Sequence, residues 1–193
     1  VPSIALQQWY GERARRLDEI EASHAAIGGS GPGRRFATLQ INQAYAVMLS
    51  SQFQGFCRDL HDECVNVFAA NVQPGVIQRT VSQLLVMNRK LDRGNPTPAN
   101  IGEDFSRFGL QNFWDLVRAV HRHVASWRGR LELLNHWRNA IAHQDFNPQR
   151  LHGITTLTLN HVRLFRNACN GLSRGFDAVM YNHLSQTFGN APW

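Results

Sequence analysis

An arginine and a histidine stand five residues apart in the stretch Asn135-His136-Trp137-Arg138-Asn139-Ala140-Ile141-Ala142-His143. A guanidinium can neutralise a phosphate, and an imidazole can move a proton near neutral pH. Those two groups are most of what a metal-free ribonuclease needs. The same spacing recurs at Arg118 and His123, inside Arg118-Ala119-Val120-His121-Arg122-His123. That second pair lies in a more basic, less ordered neighbourhood and reads as substrate-binding, a phosphate contact, or as plain surface. Context must separate the two.

The element that positions the first pair is expected to be a helix over about 123–144, closing before Asn147-Pro148. At about 100° per residue, Leu133, Leu134, Trp137, Ala140 and Ile141 gather on one side, the expected core face. Glu132, Asn135, His136, Asn139 and His143 fall opposite, so the Asn139 amide can sit beside the His143 ring. Arg138 lies about 140° round from His143 and roughly one and a half turns below it. Within one helix the two do not converge. A second copy related by a two-fold axis would bring both residues of both chains into one cleft, so the chemistry predicts a homodimer.

Helical spacing of apolar residues dominates the rest of the chain, and two-residue alternation is scarce. Ser3 is placed to cap a first helix to about residue 26, ended by Gly28-Gly29-Ser30-Gly31-Pro32-Gly33. A long helix is expected over about 35–71, and a third opens at Pro74-Gly75 and runs to about residue 93. Gly94-Asn95-Pro96-Thr97-Pro98 marks a loop, followed by a short piece near 101–108 and a helix from about Asn112. Arg128-Gly129 suggests a bend. Gly153–Leu159 is β-branched, but a lone strand would lack a partner, so it reads as a linker into a last helix over about 159–187. The expected fold is an all-α bundle of long antiparallel helices, divided into an N-terminal helix with a glycine-rich linker (1–33) and a helical domain (34–193).

Of 193 residues, 43% are hydrophobic and 18% charged, which excludes a disordered chain. The net charge is +6, and Lys90 is the sole lysine among 20 basic residues. Arginine-rich positive charge favours a polyanionic partner mildly, since GC-rich base composition has the same effect. Cys57, Cys64 and Cys169 are an odd set at no framework spacing and read as free thiols. No apolar run reaches about 18 residues, and Val1-Pro2-Ser3-Ile4-Ala5 has no basic n-region, so neither export nor membrane spanning is expected. A start at Val1 suggests a processed or trimmed terminus, and a cytoplasmic location is the default expectation. Cys57, His61 and Cys64 lie at i, i+4, i+7 and could offer three zinc ligands, but no fourth is evident, and buried thiols beside a histidine are the simpler reading; no metal or cofactor is expected. His121 and His123 are weaker still as ligands. Trp9 and Trp193 are either core or surfaces for a dimer or a stacked base.

Leu133-Leu134-Asn135-His136-Trp137-Arg138-Asn139-Ala140-Ile141-Ala142-His143-Gln144-Asp145-Phe146 resembles the signature helix of the HEPN superfamily, in its RiboL-PSP-HEPN-like branch. The specific piece is Arg-Asn-x3-His. Tyr45–Leu60, Phe113-Trp114-Asp115 and the closing Phe188–Trp193 are softer likenesses, and the match covers about 35–193. The resemblance implies a helical bundle that dimerises with its motif helices facing each other. It implies a metal-independent endoribonuclease, often serving toxin–antitoxin, abortive-infection or other defence systems, with Arg138 and His143 as the functional pair and Asn139 as the polar residue beside them. Some such proteins instead bind RNA, nucleotides or a partner without cutting. In such a bundle Asp59, Asp62 and Glu63 sit near the motif helix, where Asp59 or Glu63 could orient Arg138 or His143. Asp145 is expected either to cap the chain leaving the helix or to contact substrate. RNA, a second copy of the chain and an antitoxin or other operon partner are the partners so implied.

Overall fold

A computed structural model describes residues 1–28 and 35–193. Among these the chain is all α-helical, with no strand. The expected glycine-rich linker lies, apart from Gly28, outside the described residues. No described helix is long and apolar enough to cross a membrane.

The N-terminal segment comprises α1 (Ile4–Gln8), a π-helical turn (Trp9–Arg13) and α2 (Ala14–Gly28). Ser3 caps α1 by accepting the Leu6 N–H, as its position predicts. Next come α3 (Arg35–Ala70), α4 (Gly75–Val86), a 3-10 turn (Lys90–Asp92), α5 (Pro98–Ser106), α6 (Phe113–Val120), α7 (Val124–His143) and α8 (Leu159–Phe188). Thr97 caps α5 with Pro98 at its first position, and Thr158 caps α8 through a reciprocal pair with His161. The stretch 153–158 is a connection, as expected, and is anchored where Asn42 Nδ2 donates to the Leu157 carbonyl.

One boundary differs from the sequence reading. The third helix stops at Val86, not near residue 93, because Asp104 captures the N–H groups of Lys90 and Leu91 and seats Leu91 in the core. By contrast α7 begins at Val124, in agreement with the expected start near 123, and runs through Arg128-Gly129 as continuous helix.

Polar contacts fix the helix directions. Ser3 meets Asp177, Trp9 meets Asn170, and Glu21 meets Arg163, so the N-terminal segment runs antiparallel to α8. Glu63 meets Ile4, Asp59 meets Arg13, and Glu21 meets Tyr45, so it is antiparallel to α3 as well. The two longest helices, α3 and α8, therefore run parallel to one another. Trp127 of α7 faces Gly171 of α8, and His121, at the end of α6, faces Gly175.

One hydrophobic cluster gathers residues from Ala5 to Leu184. Trp9, Phe53, Phe56, Phe105, Phe113 and Phe176 form its aromatic centre, with ring centroids 4.8–6.1 Å apart. Trp9 and Leu17 come from the N-terminal segment and are each 1% exposed. A division of the chain near residue 33 is thus not a division of the core.

Candidate functional site

The site is built on the last turns of α7. Leu134, Trp137 and Ala140 are buried, and Leu133 and Ile141 are partly so, which is the core face expected from the wheel. The polar face departs from that reading at Asn135, which is buried. Its Oδ1 receives the Ser50 hydroxyl of α3 at 3.3 Å, and its Nδ2 donates to the Pro96 carbonyl at 3.0 Å and to the Leu131 carbonyl at 2.9 Å. A helix wheel sees only one neighbouring surface. Here α3 and the 94–98 loop cover a second flank of α7, and a buried amide must find partners there.

That loop is clamped from both sides. Gln54 Nε2 of α3 donates to the carbonyls of Leu91 and Gly94, and Asn100 Nδ2 donates to the Asn95 carbonyl. Asn95 Nδ2 in turn donates to Asn139 Oδ1 at 2.6 Å. Arg138 Nη1 donates to the same oxygen at 3.2 Å. Asn139 is held between the loop and Arg138, and its place beside His143 comes from the helix repeat.

His143 is exposed at the end of α7. Gln144 then takes the left-handed conformation (φ 54°), and the Asp145 N–H returns to the Ala140 carbonyl at 3.0 Å. Asp145 so closes the helix through its backbone, while its carboxylate faces Arg150 Nη1 at 3.4 Å. The chain folds back through Asn147-Pro148, whose carbonyls accept from Arg150, Leu151 and Gly153, and buried Leu151 pins the return. An open cleft of about 410 Å³ results, lined by His136, Asn139, Ala140, His143, Asp145, Arg150 and Leu151.

The structure thus brings Asn139, His143 and Asp145 into one cleft and leaves Arg138 on its flank, turned to Asn139. Two polar lining residues were not singled out from sequence as site residues. His136 shares the face of His143 by simple periodicity and was legible there. Arg150 lies seven residues past the helix end, and only the Asn147-Pro148 reversal hinted that it returns.

The remaining candidates lie elsewhere. Arg118 pairs with Asp115 at 2.7 Å and lines a smaller cleft with Trp114 and Arg128, whereas His123 accepts from Arg122 Nε at 3.1 Å. They share no cleft with His143. Asp59 pairs with Arg13, and Glu63 accepts the N–H groups of Ile4 and Ala5 at the start of α1. Neither carboxylate orients Arg138 or His143 within the chain, because the N-terminal helix occupies that side of α3. Asp62 binds Arg89.

Cys57, His61 and Cys64 are buried in the core, and no cluster of three metal-ligating side chains occurs among the described residues. Burial pushes both thiols up, and burial together with the Arg89 and Arg107 charges brings His61 down to about 3. Arg89 Nη1 stands 3.3 Å from His61 Nδ1, where a cation already occupies the ring's polar edge. Trp9 is core, donating its Nε1–H to Asn170, and so offers no open stacking face, whereas Trp193 is partly buried and meets Tyr181 in a T-shaped contact.

Comparison with protein-family models, curated proteins and solved structures returns no match.

Proposed function

We propose that the protein is a metal-independent endoribonuclease of HEPN type that acts as a homodimer, with His143 as the proton-transfer group, Arg138 stabilising phosphate charge and Asn139 holding ring or substrate. The observation that carries this reading is the open cleft at the end of α7, which gathers the Asn139 amide and the His143 imidazole of the motif with the His136 imidazole and the Arg150 guanidinium. The chemistry needs no metal. An imidazole takes the proton of a ribose 2′-OH, and O2′ bonds to phosphorus. The P–O5′ bond breaks, and O5′ leaves with a proton from a second, protonated imidazole. The products are a 2′,3′-cyclic phosphate and a 5′-hydroxyl. Arg138 is turned to Asn139 and does not line the cleft of its own His143, so a two-fold partner whose Arg138 reaches across would complete the charge stabilisation. DNA lacks the nucleophile and is not a substrate. The resemblance of the motif helix also suggests a setting in defence, a toxin system or RNA processing in the cytoplasm, with an antitoxin or operon partner.

A second reading, a non-catalytic RNA- or partner-binding module, draws on one observation: Arg138 leans on Asn139 Oδ1 and does not line the cleft. Labelled RNA incubated with the purified protein in EDTA separates the two. Cutting that is lost in His143→Ala, and reduced at least a hundredfold in Arg138→Ala, is expected. Both variants should keep the dimer mass by light scattering. RNase activity unchanged in His143→Ala sinks the assignment, and binding without turnover favours the module.

A further inference from the structure

We propose that Arg150 and His136 complete the His143 cleft as a phosphodiester site assembled within one chain, Arg150 gripping the phosphate and His136 supplying the second imidazole. The part given to His136 rests on the nuclease reading; the phosphate contact of Arg150 does not.

Three features converge. His136 and His143 are seven residues apart on one helix, so they lie about 20° apart in azimuth and about 10.5 Å apart along the axis. A general acid and a general base that each reach about 3 Å to the entering and leaving oxygens of one phosphodiester hold their ring nitrogens no more than roughly 9 Å apart. Side chains rising from that helix face span such a gap, and Asn139 lies between them, inside the same cleft.

Arg150 is the guanidinium among the lining residues. Buried Leu151 and the 147–153 turn hold its backbone at the mouth. Its contact with Asp145 is long, at 3.4 Å, and both side chains are more than half exposed. An exposed pair of that kind is readily exchanged for a phosphate that accepts two parallel N–H bonds. Arg118 is bound more closely to Asp115, at 2.7 Å, and Arg138 is turned to Asn139. Asp145 therefore has a specific part here: it occupies Arg150 when no phosphate is present and repels the phosphate that displaces it.

The test uses the full chain and two probes. A fluorescein-labelled, fully 2′-O-methylated RNA oligonucleotide reports binding by anisotropy, since without a free 2′-OH it cannot be cut. The unmodified oligonucleotide reports cleavage. Losing one charge-assisted contact weakens binding about tenfold or more, so Arg150→Ala is expected to do so and Arg150→Lys to recover part of it. Asp145→Asn is expected to tighten binding several-fold, a direction that damage to the fold would not give. His136→Ala is expected to abolish cleavage while circular dichroism and melting stay those of the parent. Arg15→Ala, on exposed α2 surface, serves as the unaffected control. Wild-type binding in Arg150→Ala, or weaker binding in Asp145→Asn, overturns the phosphate contact. If His143→Ala is inactive while His136→Ala and Arg150→Ala cut like the parent, the nuclease reading stands and this one falls. If the parent never cuts yet binds through Arg150, the nuclease reading and the part given to His136 fall and the phosphate contact stands.

Discussion

His61 shows how burial sets the chemistry of a single residue. Its ring packs against both Phe105 and Phe108, with centroids 5.7 and 4.8 Å away, and Arg89 and Arg107 add positive charge nearby. Desolvation first, and those charges second, bring its pKa to about 3 from the usual 6.5. The folded chain thus binds this proton more weakly than the unfolded chain. Stability is complete above about pH 6.5 and falls as the pH drops toward 3, by at most about 1.4 kcal/mol per pH unit. Urea unfolding at pH 7 and pH 4 should show a smaller loss in His61→Leu than in the parent. Equal losses in both proteins would remove His61 as the source. The contrast with His143, exposed at a helix end, was not available from sequence, where both are histidines on long helices.

Between elements, α8 approaches α7 and α6 where glycine permits it. A Cβ on Gly171 would come within 2.5 Å of the Trp127 ring, and one on Gly175 within 2.9 Å of Val117. Gly171 lies inside α8, so replacing it with alanine gains up to about 1 kcal/mol of helix propensity. Displacing a packed indole costs about 1–3 kcal/mol, which is the larger effect. Gly171→Ala is expected to lower stability by about 1–2 kcal/mol in chemical denaturation. An increase would show that Trp127 moves freely. Sequence periodicity located both helices but could not reveal that a glycine of one meets a tryptophan of the other.

For the molecule as a whole, the N-terminal segment decides whether the fold closes. Trp9 fills the aromatic centre, Ser3 meets Asp177, Glu63 caps α1, and Arg166 reaches the Ala14 carbonyl and Asp18. Trp9→Ala should cost about 3–5 kcal/mol, a large share of the stability of an ordinary domain. Deleting residues 1–33 should therefore leave a chain without a cooperative unfolding transition by circular dichroism. A cooperative melt in that deletion would show that residues 34–193 stand alone.

The sequence by itself determined the helical class, most helix starts, the core stripe of α7 and the Arg138-Asn139-x3-His143 pattern. These follow from repeats of 3.6 residues and from caps and breakers, all of which act over a few neighbours. Tertiary structure alone decided that Asn135 is buried and that the N-terminal helix belongs to the common core. It also decided that Asp59 and Glu63 serve that helix and that Arg150 folds back beside His143 while Arg138 stays on the flank. Those outcomes depend on which surfaces meet after separate segments pack, and local spacing carries no record of contacts made between them.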